Sequence, residues 1–238
     1  MENKVLVSII LPTYNESKSI IVVIKKIKQI FKKLTSYKLE IIIVDDNSGD
    51  KTGYLVQKEY KYDNLVKVFI RKAERGLGTA IGYGINKAQG SIIIGMDADG
   101  NHPVSILPIF LKELKTNDLV IASRFVRGGG VEEITDRIRH LGSFMFNLIL
   151  KILGFPVWDN TSGFYGISKK KLISLKPKNI YFGYGDYHLR LVYFAKLKNF
   201  KIKEIPCVYG KRIAGESKSE LFKMFFDYLK EGLRLKFK

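Results

Sequence analysis

The stretch Ser91-Ile-Ile-Ile-Gly-Met-Asp-Ala-Asp-Gly-Asn-His-Pro103 is a short apolar run that ends abruptly in two carboxylates. Its β-branched content and the bounding Gly90, Gly100 and Pro103 predict a buried strand of a parallel sheet, since such a strand is covered on both faces and shows no polar alternation. Asp97 and Asp99 then stand at the strand's carboxyl end, where open α/β sheets bind ligands. Two carboxylates two residues apart, with the Asn101 amide two further on, make a compact set of hard oxygen ligands suited to Mg2+ or Mn2+ carrying a diphosphate. The same residues in a solvated turn need no ligand, so the surrounding chain must decide.

Outward from this run the pattern repeats. Residues 5–11, 39–44, 65–70, 91–96 and 118–122 read as strands, with helical patterns between them. Within 17–34, for example, Ile20, Ile24, Ile27, Phe31 and Leu34 fall at three- and four-residue steps while lysines fill the outer face. Strand alternating with helix implies right-handed crossovers and an α/β fold, a mostly parallel sheet with helices on both faces. The strand ends carry Pro12-Thr-Tyr-Asn-Glu16, Asp45-Asp-Asn-Ser-Gly49, the Asp97 to His102 turn and Ser123-Arg124. Three of these four turns are acidic. Acids beside a phosphate make sense when a cation intervenes, or when they read sugar and base hydroxyls and amines. The spacing of Gly76-Leu-Gly-Thr-Ala-Ile-Gly82 departs from a dinucleotide fingerprint and fits a helix start whose glycines allow close packing.

At 238 residues and 46% hydrophobic content, the chain can bury one substantial core, as one domain or a domain with an appendage. The single cysteine, Cys207, excludes an internal disulfide framework and reads as a buried small hydrophobe. A strand-like segment begins almost at once, with no basic leader before it, and no apolar run reaches the 18 or so residues that span a bilayer; the expectation is a cytoplasmic protein. The net charge is +18, of which the first hundred residues carry +5 and the remainder +13, so the later part is expected to face something anionic.

Taken together, Pro12-Thr-Tyr-Asn-Glu16, Val44-Asp-Asp-Asn-Ser48, Arg75-Gly-Leu-Gly, Met96-Asp-Ala-Asp, His102-Pro103, Ser123-Arg124, Ser162-Gly-Phe164 and Gly215-Glu-Ser-Lys218 resemble the family 2 glycosyltransferases, and within them the dolichyl-phosphate mannose synthase group. The motifs run in order over nearly the whole chain. The resemblance implies a GT-A fold, a nucleotide-diphosphate sugar donor, a divalent cation and a polyprenyl phosphate acceptor. Carried over position by position, it implies a nucleoside pocket of Pro12, Tyr14, Glu16, Val44 and Asp46, with Asp97 and Ala98 beside the ribose and diphosphate. It makes Asp97, Asp99 and Asn101 the metal group, and Arg124, Arg139, Ser143, Arg212 and Lys218 the phosphate contacts, with Asp99, Arg124 and Arg139 nearest the chemistry and Arg124, Arg139 and Ser143 on the acceptor phosphate. Two positions depart from the relatives: Asn101 stands where Gln is usual and reaches a metal less easily, and Arg190 stands where an acid is frequent. Some relatives also continue into transmembrane helices, and this sequence stops.

The implied division is a nucleotide-sugar half over 1–123 and an acceptor half over 124–215, with a C-terminal amphipathic helix over 216–238. In 139–155, Arg139, Ser143, Asn147 and Lys151 recur every fourth residue among apolar ones, giving a helix with a narrow polar stripe. At the interface with an anionic membrane this helix would turn its stripe toward the site and its apolar faces toward lipid, and the C-terminal helix either lies at the same interface or packs on the sheet. A phosphate acceptor arrives already ionised and needs positive charge, whereas a saccharide hydroxyl needs a base, for which Asp159, Asp186 and Glu216 are the candidates. His102 and His188 suit that role poorly. A basic nucleic-acid-binding protein and a membrane scaffold are the competing classes, but the basic residues are scattered and no nucleic-acid motif is present, so no nucleic-acid partner is expected.

Overall fold

The computed structural model describes residues 4–132, 137–214 and 221–237, with the side chains of 137–139 and 221–224 outside that description. The first half is β1 (Val5–Thr13), α1 (Ile20–Lys32), β2 (Tyr37–Asp45), α2 (Thr52–Glu59), β3 (Val66–Ile70), α3 (Leu77–Lys87), β4 (Ile92–Gly95), α4 (Leu107–Glu113) and β5 (Leu119–Ser123). These match the strands and crossovers expected from the sequence, with β1 and β2 running two and one residues further into their turns. The second half adds β6 (Gly130–Val131), α5 (Arg137–Ile152), β7 (Tyr165–Ser168), α6 (Lys169–Ser174), α7 (Tyr187–Leu197), β8 (Ile202–Pro206), β9 (Val208–Tyr209) and α8 (Leu221–Lys236).

Seven strands form one sheet in the order β3-β2-β1-β4-β7-β5-β8, in which β7 alone runs antiparallel to its neighbours β4 and β5. Along β1 and β2 successive residues bury into opposite layers. Val7, Ile9, Leu11, Ile41 and Ile43 pack with Ile20, Ile24, Ile27 and Phe31 of α1 and with α4. Ile10, Ile42 and Val44 pack with Ala80, Ile81 and Ile85 of α3 and with the α7 side. Both faces are therefore dry, which is why these strands read as unbroken apolar runs.

From β1 the chain proceeds outward through β2 and β3, then returns to place β4 on the other side of β1. This reversal opens a crevice at the carboxyl ends of β1 and β4, the usual ligand position in such sheets. The glycines that open α3 serve close packing: a Cβ on Gly78 would meet the Phe182 carbonyl oxygen at 2.5 Å, and one on Gly82 the Tyr181 side chain at 2.9 Å. The 181–185 segment is thereby laid along α3 at the crevice mouth.

Candidate active site at the strand ends

A cavity of about 460 Å³ fills this crevice. The β1 turn supplies Pro12, Thr13, Tyr14 and Glu16, the β2 turn Asp46, and the β4 turn Asp97, Ala98 and Asp99. Asn15 and Asn47 take left-handed backbone conformations, φ 57° and 52°, which Asn tolerates and which make the first two turns tight. Asp45 and Asp46 divide their labour. Asp45 is turned inward, accepting from Thr13 Oγ1 at 2.9 Å and the Ser48 amide at 3.0 Å. Asp46 faces the cavity, held by Arg71 Nε at 2.7 Å and the Gly76 amide at 2.8 Å. Of the expected nucleoside residues, Val44 does not line the cavity; its side chain is buried between Ile10 and the α3 glycines, because it belongs to the alternate face of β2.

In the acid turn, Asp99 Oδ1 accepts the Asn101 amide at 2.9 Å, and Oδ2 lies 3.1 Å from Arg212 Nη1. Asp97 opens onto the cavity, its side chain 41% exposed. Burial raises the pKa of the Asp99 carboxyl, and the neighbouring Asp97 charge raises it further against the pull of Arg212. His102 is buried against Phe164 and Tyr209, and its Nδ1 accepts the Asp97 amide at 3.0 Å. Burial drives its pKa down to about 4, so it is a neutral prop for the turn. The donor set suits a hard divalent cation: two carboxylates, with Asn101 Oδ1 closed from solvent and without a hydrogen-bond partner among the described residues. No group of three acids, histidines or cysteines gathers there among the described residues, so a cation on Asp97 and Asp99 would need its remaining ligands from elsewhere.

Arg124 and Ser143 stand behind the cavity wall. Asp159 is fully buried and takes three bonds from Arg124: the amide at 3.0 Å, Nε at 2.8 Å and Nη2 at 2.8 Å. Burial opposes both charges, yet each partner outweighs it for the other, holding the carboxyl below and the guanidinium above their ordinary values. Arg124 Nη2 also donates to Thr161 Oγ1 at 2.9 Å, as does Asn147 Nδ2 at 3.1 Å, with the Ser143 hydroxyl 3.5 Å away. Thr161 lines the cavity. Ser143, Asn147 and Lys151 of the α5 stripe thus meet the 156–161 loop, with Asn147 accepting the Asn160 amide at 2.7 Å and Lys151 donating to the Pro156 carbonyl at 2.9 Å. Arg139 sits on the first turn of α5 with its side chain outside the described residues; Lys218 and Glu216 lie outside them as well.

Residues 8–176, which include the whole acid turn, match the family described as Glycosyl transferase family 2. The chain belongs to that family. It is 33% identical over 233 residues to a dolichol-phosphate mannosyltransferase of Pyrococcus furiosus, covering 96% of this chain and 63% of that one, so it spans under two thirds of that relative's length. With the enzyme of the same name from Saccharomyces cerevisiae it shares 29% identity over 237 residues, 97% of this chain and 88% of that one. The crystal structure of glucosyl-3-phosphoglycerate synthase from Mycobacterium tuberculosis with Mn2+ and UDP-glucose superposes at a TM-score of 0.72 with 21% identity, covering 97% of this chain and 79% of that one. That likeness establishes the GT-A fold.

For this family 2 glycosyltransferase, the structure adds cavity residues that were not singled out as site residues from the sequence. Arg75 stacks its guanidinium 3.6 Å from the centre of the Tyr14 ring; the signal was its place in the Arg75-Gly-Leu-Gly motif. Tyr184 and Tyr187 reach the cavity from the 181–187 segment and Tyr228 from α8. No local pattern marks these tyrosines, because they meet only through long-range packing. His188 lies behind them, buried with both ring nitrogens unpartnered among the described residues and its pKa driven by burial to about 4.

Proposed function

We propose that this enzyme transfers a hexose from a nucleotide-diphosphate sugar to a polyprenyl (dolichyl) phosphate, with inversion and with Mg2+ or Mn2+, at the cytoplasmic face of an anionic membrane; mannose from GDP-mannose is the favoured donor. The observation that carries the reading is that both candidate bases among the described residues, Asp159 and Asp186, are already committed to arginines. Asp159 is sealed behind Arg124, and Asp186 is engaged by Arg190 Nη1 at 2.6 Å and lines a separate recess. A hydroxyl acceptor would need such a base within hydrogen-bond reach, whereas a phosphate ionises by itself with a second pKa of about 6. The names of the relatives point to the same acceptor class.

A divalent cation held by Asp97 and Asp99 would supply the positive charge that a departing diphosphate requires. Arg212 stands beside it, and Pro12, Tyr14, Glu16 and Asp46 form the wall suited to the nucleoside. The lipid side has its own support. Leu141, Met145, Ile149 and Ile152 recur along the outer face of α5, and Phe225, Phe226, Leu233 and Phe237 are exposed at α8 and its end. Buried Phe146 of α5 meets Phe225 of α8 at 5.1 Å, so the two helices pack together. Among the described residues no helix is long and apolar enough to cross a membrane, and this arrangement suits a helix pair lying in the interface.

The test is transfer of labelled sugar from GDP-mannose or UDP-glucose, with Mn2+, into the lipid extract of vesicles containing polyprenyl phosphate. Label must enter the lipid in a chelator-sensitive manner. Transfer to free saccharides that is equally fast without lipid phosphate overturns the acceptor assignment.

A further inference from the structure

We propose that Arg212 is a tethered counter-cation of Asp99 that a divalent ion must displace, so that this chain takes up metal together with a diphosphate rather than alone. The inference rests on the reading that Asp97 and Asp99 hold a cation. Both oxygens of Asp99 are engaged, Oδ1 by the Asn101 amide and Oδ2 by Arg212. A dication seated on Oδ2 would stand against the guanidinium, and like charges at such range repel strongly in a partly buried site. One of them has to leave.

The backbone dictates which one moves and how. The Gly210 amide donates to the Asn101 carbonyl at 3.0 Å and the Ile213 amide to the Asp99 carbonyl at 3.0 Å, so two bonds flank residue 212 and strap it over the acid turn. The Ile213 side chain fills the space above Gly100, where a Cβ would meet it at 2.5 Å. Main-chain movement at 212 would break this strap. The arginine side chain, part-exposed and lining the cavity, is therefore the piece that relocates.

The charges around it favour an exchange. Arg124 is paired with Asp159, so a metal arriving alone meets two carboxylates with the Arg212 guanidinium already beside Asp99. A diphosphate arriving with the metal offers Arg212 a forked oxygen partner that matches its geometry. Arg212 then passes from carboxylate to phosphate and Asp99 turns to the cation. Ion pairs are traded rather than lost, and no bond to carbon or phosphorus changes.

The experiment measures free Mn2+ by its electron paramagnetic resonance signal, in titrations of the full chain without nucleotide and then with GDP and with UDP. Wild type, Arg212→Ala and Arg212→Lys are compared, each checked by thermal melting. The expected result is that Arg212→Ala binds Mn2+ alone on the order of tenfold tighter than wild type and less tightly than wild type when nucleotide is present, and that Arg212→Lys, which keeps the charge without the fork, stays near wild type for Mn2+ alone and falls between the two with nucleotide. An unchanged affinity for Mn2+ alone in Arg212→Ala, with weaker nucleotide binding, reduces Arg212 to an ordinary phosphate contact and overturns the proposal while leaving the metal reading intact. Weaker binding of Mn2+ in both titrations overturns it as well. Absence of Mn2+ uptake by wild type with either nucleotide overturns the proposal together with the metal reading.

Discussion

Replacing Asp159 by Ala removes the carboxylate that compensates Arg124, a guanidinium whose side chain is only 15% exposed. Three N–H groups of Arg124 lose their acceptor at once, two of them on the charged head. Leaving one member of a buried pair unpaired typically costs about 3–5 kcal/mol. For a chain of this size that corresponds to a fall in melting temperature of roughly 10 °C, at about 2–4 °C per kcal/mol. The double variant Arg124→Met with Asp159→Leu should recover most of the loss, because a well-packed apolar pair avoids the desolvation penalty altogether. The pH dependence carries a sign. The Asp159 pKa is lowered in the folded state, so its contribution is complete above the unfolded value, about 3.9, and is lost as pH falls through the lower folded value. The gap between wild type and Asp159→Ala should therefore be flat from about pH 5 to 8 and close only below about pH 4. The assay is calorimetric or circular-dichroism melting across that range. A loss under about 1 kcal/mol, well below the range for a broken buried pair, or a double variant no more stable than the single one, would refute the reasoning.

Asp99→Ala should lower sugar transfer by about two to three orders of magnitude, the range for losing a group that stabilises developing charge, with the melting curve little changed; a rate within threefold of wild type contradicts its placement. Because burial drives His102 and His188 to about 4, kcat/KM should rise with the acceptor's own ionisation near pH 6, and His188→Gln should keep that profile. An inflection that disappears in the variant would make the histidine the titrating group. Phe226 and Phe237 are 65% and 79% exposed, so Phe226→Asp with Phe237→Ser should leave melting intact. Sedimentation with phosphatidylglycerol vesicles should show binding weakened at least tenfold, given roughly 1.5–3 kcal/mol per buried phenylalanine; undiminished binding removes α8 from the lipid contact.

The Rossmann-like half was legible because its physics is local. Ile9, Ile10 and Leu11, or Ile41, Ile42 and Ile43, must be strands buried on both faces, and the acids that follow can stand only at their ends. β7 escaped notice because Tyr165-Gly-Ile-Ser168 is four residues long, with a glycine at its centre, and its antiparallel insertion between β4 and β5 is a matter of tertiary pairing. The polar stripe on α5 was visible, but its partners were not: the stripe is answered by backbone groups of Pro156 and Asn160 and by Thr161, a loop without periodicity. Arg124 shows the same limit. Its motif marks it as important, yet only the folded chain reveals that Asp159, thirty-five residues on, already holds its fork.

Arg190 shows why a single departure from a family pattern cannot be read in isolation. It is fully buried, and such a charge persists only when its donors are matched. Nε donates to the Ile180 carbonyl at 2.8 Å and Nη2 to that of Phe182. Nη1 meets Asp186 at 2.6 Å and Glu231 at 3.1 Å, and the Phe182 ring lies 3.6 Å away. Where the resemblance implied an acid near 190, this chain has an arginine whose acids come from one turn earlier and from α8. Because these bonds tie the 180–186 segment to α8, Tyr184 from the first and Tyr228 from the second are fixed relative to each other at the cavity wall. Exposed Phe226 lies on the helix that carries Tyr228, with exposed Phe237 just past its end. Arg190 thus ties α8, which carries part of the surface proposed to meet lipid, to the 180–186 segment at the cavity wall.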